Sequence, residues 1–234
     1  MGFISSSTKD EGGVTVSVPF AVSVPFEKVK KAFARILEEL EKNRQYLNDL
    51  DAPIGDSDHG ESVTNAFRKV KEAVDQHPEG DRDIGKLLQE VGKSIIFSGG
   101  AAMGPLYGTA FMDAGKVVSG KTELTPQDVV AMWEAFGGGI ARRGQAKVGE
   151  KTMYDTIYPM VESLKKSLTA GESFEAMLKK AIEEARRGME STRDMLSLRG
   201  RSSRLGERSI GHIDPGAASS FIVVKTFLET LLEG

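Results

Sequence analysis

Three carboxylates, Asp51, Asp56 and Asp58, fall within eight residues in the run Leu50-Asp51-Ala52-Pro53-Ile54-Gly55-Asp56-Ser57-Asp58-His59-Gly60. Pro53 and Gly55 favour a turn between them, which brings the acids together, and like charges at short range repel. The cluster is tolerable if water solvates each acid, or if a divalent cation neutralises them. Oxygen ligands at this density suit Mg²⁺ or Ca²⁺ rather than zinc. Residue type alone leaves both readings open, a solvated acidic turn that caps a helix and a hard-cation site. An EF-hand fits poorly. Counted from Asp56, its fifth, sixth and twelfth positions would be Gly60, Glu61 and Phe67, where that loop needs an oxygen ligand, a glycine and a bidentate glutamate.

A protein-bound Mg²⁺ is normally shared with phosphate, so an anion site is expected nearby. The small-residue run Ser98–Gly108 (SGGAAMGPLYG) would let backbone N–H groups approach an anion at a helix start, or would simply allow close helix packing. Gly115–Thr122 (GKVVSGKT) matches the P-loop pattern letter for letter. Its context is wrong, because a P-loop joins a buried strand to a helix that starts at the Lys-Thr. Here the preceding residues read as helix and Pro126 would sit inside the following one. Gly137-Gly138-Gly139 is expected to be a packing point within a helix.

The elements that must position these residues are helical. Val29, Phe33, Ile36, Leu37 and Leu40 form one apolar stripe, which predicts a helix over 26–49. Phe174, Met177, Leu178, Ala181, Ala185 and Met189 repeat the pattern after Ser173, a suitable N-cap. Thr125-Pro126-Gln127-Asp128 supplies an N-cap, a proline at the first helical position and an acid at the positive end of the helix dipole. About eight helices are expected, near 26–49, 58–76, 83–98, 103–118, 126–143, 152–169, 173–198 and 217–232, with boundaries good to ~2–4 residues. The fold class is therefore all-α. Two glycine-rich connections, 144–150 and 200–216, are expected to carry function. Residues 1–25 read as a separate N-terminal extension, an extended arm or β-ribbon, in which Val14, Val16 and Val18 alternate with polar residues and Ser-Val-Pro-Phe occurs twice; residues 26–234 form the helical domain.

Composition narrows the function classes. Thirty-one basic against 34 acidic residues give a net charge of −3, which argues against a broad nucleic-acid surface. No apolar run reaches the ~18–20 residues of a membrane span, and the N-terminus lacks a signal-peptide pattern, so no membrane partner and a cytoplasmic location are expected. The absence of cysteine excludes thiolate chemistry.

Four ordered blocks resemble the nucleotide-binding L subunit of bacterial dihydroxyacetone kinases, which is also the C-terminal domain of the single-chain ATP-dependent enzymes. They are LDAPIGDSDHG (50–60), GPLYGT (104–109), GEKTM (149–153) with Pro159 following, and GERSIGHIDPG (206–216) with Ala217 and Ser219 after it. The resemblance covers roughly residues 26–234. It implies an up-and-down barrel of eight antiparallel helices, with ADP or ATP at one end and two Mg²⁺ held by Asp51, Asp56 and Asp58. Two dications facing a polyphosphate need extra negative charge on the protein side.

By the same resemblance His59, Gly60, Glu61 and Ser62 touch the phosphates through backbone amides and a hydroxyl, and Ala102 and Met103 make phosphate or ribose contacts. Gly144 and Met153 line the adenine pocket, and Arg201 with Asp214-Pro215-Gly216 closes as a lid. Met103 stands where the family commonly has serine, Arg204 where an aromatic is common, and Ala218 where threonine is. The implied partner is a K subunit that holds the ketose covalently. The implied phosphoryl source is exchangeable ATP or a phosphohistidine subunit of the sugar phosphotransferase system that recharges bound ADP. A regulatory module that signals to a transcription factor, and the related nucleotide domain of fatty-acid kinases, are the alternative functions. No phosphoacceptor histidine is expected, and His77 reads as an ordinary loop residue.

Overall fold

The computed structural model describes residues 22–98 and 103–233. Most of the proposed N-terminal arm, and Ala102, lie outside the described residues. The chain is all-α: α1 (Phe26–Lys42), α2 (Arg44–Asp51), α3 (His59–Asp75), α4 (Ile84–Phe97), α5 (Met103–Val117), α6 (Pro126–Gly144), α7 (Met153–Thr169), α8 (Phe174–Ser191) and α9 (Pro215–Leu232). A two-residue antiparallel pairing, β1 (Val24–Pro25) with β2 (Glu123–Leu124), is the sheet among the described residues. Val24 and Leu124 are both buried there, so the packed unit begins before Phe26.

Helices adjacent in sequence pack on one another from α3 to α9, and α1 packs on both α3 and α9, so the order of contacts closes on itself. The apolar stripes face inward around Trp133, Phe136, Phe111, Phe33 and Phe227, whose rings meet mostly edge to face. α4 and α5 approach closely because Gly85 and Gly115 lie opposite each other, and a Cβ on either would come 2.5 Å from the other's carbonyl oxygen.

Two expected boundaries differ. The helix over 26–49 is two helices, broken at Asn43, whose side-chain amide donates to the Glu39 carbonyl (2.8 Å) and closes α1. The helix over 173–198 ends at Ser191. A 3₁₀ turn over Thr192–Asp194 follows, with the Thr192 hydroxyl donating back to Met189 O (2.7 Å). A second 3₁₀ stretch, Arg201–Ser209, lies inside the glycine-rich connection before α9.

Pro126 occupies the first turn of α6, and Thr125 and Asp128 form a reciprocal capping box. The P-loop look-alike is accordingly split between the end of α5 and the turn that leads to β2, and Lys121 pairs with Asp128 (3.0 Å). Among the described residues no helix is long and apolar enough to cross a membrane.

Candidate functional site

The α2–α3 connection folds back on the end of α2. The carboxylate of Asp51, nearly buried at the last position of α2, accepts the backbone N–H groups of Asp56 (3.3 Å) and Asp58 (3.1 Å). Gly55 is required because its α-carbon lies against that carboxylate, where a Cβ would collide with Asp51 Oδ1. Ser57 turns the chain in the left-handed region, at φ +64°. As a result one oxygen from each of Asp51, Asp56 and Asp58 comes within 4.8 Å of the others.

Asp56 is paired with Arg201 of the 200–216 connection. The Asp58 carboxylate is exposed and has no hydrogen-bond or ion-pair partner among the described residues. Three mutually repelling carboxylates with one arginine between them form a donor set that fits hard divalent cations.

These acids line one cavity of about 520 Å³, within the range of small-molecule pockets. His59 and Ser62 enter it from the first turn of α3, Met103 and Tyr107 from α5, and Thr152 and Met153 from the start of α7. Pro215 and Gly216 come from the start of α9, and Gly144 from the end of α6. Four helices, α3, α5, α7 and α9, thus begin at the cavity. Every second element of the sequence turning its N-terminus to one place is what antiparallel neighbours produce. It also directs four positive dipole ends toward whatever the cavity holds. Arg199, Gly200, Arg201 and Ser202 line the cavity from the connection that precedes α9.

The resemblance named Asp51, Asp56, Asp58, His59, Ser62, Met103, Gly144, Met153, Arg201, Asp214, Pro215 and Gly216, and the structure brings all of these to the cavity. Gly60 and Glu61 stand elsewhere. Their amides are taken by the side chain of Asn48, with Oδ1 accepting from Gly60 N (2.8 Å) and Glu61 N (3.3 Å). The Glu61 carboxylate pairs with Arg44 (3.2 Å). Gly60 is packed so tightly on α2 that a Cβ would strike the Arg44 carbonyl. Both amides thus have Asn48 as a partner, and Gly60 also serves close helix packing.

His59 Nε2 lies 2.9 Å from Ser219 Oγ, and that hydroxyl donates to Gly216 O (3.1 Å), so the ring N–H is the donor to Ser219. Burial holds the imidazole below its ordinary pKa, against a smaller upward pull from Asp51. Below it the Tyr107 hydroxyl meets Ser220 Oγ (3.0 Å), and burial pushes the phenol up to about 12.

At the start of α9 the Asp214 carboxylate accepts from Ala217 N (2.8 Å). Burial nevertheless raises it to about 7, against that hydrogen bond and the nearby Lys151. The two glycine-rich connections are joined: Arg199 makes a two-pronged pair with Glu150 (2.9 and 3.2 Å), and Leu198 N donates to Glu150 O (3.2 Å).

Sequence reasoning missed Ser219, Tyr107, Lys151, Arg199 and Asn48. Tyr107 and Lys151 stand inside the quoted blocks and Ser219 just after one, but nothing in their spacing says that a serine 160 residues away meets His59. His77 lies apart from the cavity, buried and bonded to Glu90 (2.7 Å) through Nδ1.

Residues 53–229 match the DAK2 domain. A PEP-dependent dihydroxyacetone kinase 2, ADP-binding subunit DhaL, of Listeria innocua is 37% identical over 203 residues, covering 85% of this chain and 94% of that protein. The PEP-dependent counterpart of Escherichia coli is 39% identical over 181 residues, covering 77% and 85%. The PTS-dependent counterpart of Lactococcus lactis is 33% identical over 194 residues, covering 83% and 92%. The fold is also that of the dihydroxyacetone kinase of C. freundii, with TM-score 0.64 and 20% identity over 98% of this chain, which spans 38% of that longer one. On the domain match and on these identities over most of both chains, the protein belongs to the DAK2 domain family, among the L subunits of dihydroxyacetone kinases.

Proposed function

We propose that the chain is the nucleotide-carrying subunit of a dihydroxyacetone-type kinase, a phosphotransferase in which it presents a phosphoryl group to a short ketose held by a separate K subunit. The observation that carries this reading is the convergence of three clustered carboxylates and four helix N-termini on one cavity. Helix starts attract anions and carboxylates repel them, so a polyphosphate fits this cavity only with cations between it and the acids. Asp51, Asp56 and Asp58 would hold two Mg²⁺, which when bound neutralise the phosphates and the charge that develops on the transferred group.

The chain's own residues do the positioning. Asp51 is fixed by two backbone amides, so its carboxylate is set before a cation arrives. Arg201 counter-charges Asp56, and giving up that partner would free its guanidinium for phosphate. His59, braced by Ser219, presents its other ring nitrogen, and Ser62 a hydroxyl. Met153, nearly buried, offers a soft apolar surface to the adenine ring, Met103 stands by the phosphates or ribose, and Gly144 leaves room beside Leu106.

ADP as a retained group, recharged by a phosphohistidine protein of the sugar phosphotransferase system, is the preferred donor arrangement. The relatives named for ADP binding and for PEP or PTS dependence support it. The nucleotide and such a donor are cytoplasmic, and that is the proposed location. The closed order of helix contacts supports the eight-helix up-and-down barrel, to which residues 1–25 would be an extension whose end, Val24–Pro25, packs on β2.

The test is reconstitution. The chain with a K subunit, dihydroxyacetone, Mg²⁺ and either ATP or a phosphorylated donor protein should form dihydroxyacetone phosphate, and each component alone should not. Product formation without this chain, or none with any donor, would overturn the proposal.

A further inference from the structure

Lys151 is a cavity-lining residue for which the proposed chemistry has no use. It is 1% exposed, and its backbone sits at φ +60°, where an L residue is strained. Its ammonium donates to two backbone carbonyls, those of Thr192 and His212. These residues flank the 193–211 segment, one where it leaves α8 and the other where it returns toward α9. The same two stems are tied by Gly211 N donating to Arg193 O (2.8 Å) and Asp214 N donating to Thr192 Oγ1 (3.0 Å). Burial holds the ammonium below its ordinary pKa, with Arg193 acting in the same direction, and Asp214, Asp194 and Asp155 offset part of that cost. The segment held in this way carries Arg199 and Arg201 over the cavity.

We propose that Lys151 is a positioning residue that staples the two stems of this lid and thereby sets how long a nucleotide stays bound. A residue donating to two carbonyls has little left for a phosphate, and removing the ammonium would take that donor from the buried Thr192 carbonyl and the partly buried His212 carbonyl. The consequence for nucleotide rests on the function proposed above. The staple itself does not, and it is tested first without nucleotide.

The experiment compares wild type, Lys151→Met and Lys151→Arg in the full chain. Trypsin is applied to nucleotide-free protein, and cleavage after the exposed Arg201, Arg204 and Arg208 is followed. Lys151→Met should be cut there about tenfold faster or more while its urea transition stays cooperative. Lys151→Arg, which keeps the charge and several donors, should restore most of the protection. With Mg-ADP the dissociation rate should rise by a similar factor while the association rate holds.

Unchanged cleavage with weakened Mg-ADP binding would make Lys151 a phosphate contact and overturn the staple. Unchanged cleavage and unchanged dissociation would overturn it as well. If Lys151→Met does not fold, amide hydrogen exchange in nucleotide-free wild type decides. The Gly211 and Asp214 amides should exchange far more slowly than those of 201–208, and equal rates would contradict the staple. Failure of wild type to bind Mg-ADP would refute the nucleotide reading and leave the cleavage result to judge Lys151.

Discussion

Replacing Asp56 by asparagine separates a ligand role from a structural one. The Asp56 side chain is 49% exposed and its listener across the cavity, Arg201, is 60% exposed. An ion pair that open contributes about 0–1 kcal/mol to stability, so the fold should lose no more than that. The effect on a bound cation is of a different size. A dication touching the other two acids lies within roughly the 4.8 Å spacing of the cluster. Even in water-like dielectric, a unit charge and a dication about 4 Å apart interact by about 2 kcal/mol, and more as water is excluded. That corresponds to a loss of Mg-ADP affinity of about thirtyfold or more.

Isothermal titration with ADP in Mg²⁺ and in EDTA, alongside urea unfolding, reads both quantities. Unchanged affinity in Mg²⁺ would refute the cation assignment. A destabilisation of several kcal/mol would refute the claim that the Asp56–Arg201 pair is energetically slight.

Asp214 gives a pH signature. Its folded carboxyl titrates at about 7 against 3.8 unfolded, so the folded state binds the extra proton between those values. Its stabilising contribution is complete below about pH 4 and is lost as pH rises through 7, by at most about 4 kcal/mol. In nucleotide-free, metal-free protein, Asp214→Asn should gain stability over wild type between pH 4.5 and 7.5, read as a rising difference in urea midpoints; a constant difference would contradict this. Lys121→Ala removes only a partly exposed pair with Asp128 and should leave Mg-ADP affinity unchanged, measured by the same titration. Lost affinity would revive the P-loop.

Local signals reported the fold well where chemistry and geometry lie within a few residues. Thr125-Pro126-Gln127-Asp128 announced the start of α6, and a capping box stands there. The apolar stripes of α1 and α8 are the buried faces. The break at Asn43 carried no proline or glycine, and its cause, a side-chain amide closing α1, is invisible to apolar periodicity. The early end of α8 is likewise held by a threonine hydroxyl and by tertiary bonds to residues near 212–214.

At the site, the clustering of Asp51, Asp56 and Asp58 followed from a short turn. That Asn48, on a helix that apolar periodicity merges with α1, caps α3 from outside at the Gly60 and Glu61 amides is not legible in the sequence. Lys151, Ser219 and Arg199 acquire their roles only when elements distant in sequence meet, and no spacing rule contains that information.

The central claim is that the cavity holds an adenine nucleotide with Mg²⁺. Freshly purified protein should be denatured, the released small molecules identified and quantified, and the refolded or untreated chain titrated with Mg-ADP. The account predicts close to one ADP per chain. Protein that releases no nucleotide and also fails to bind added Mg-ADP would contradict it.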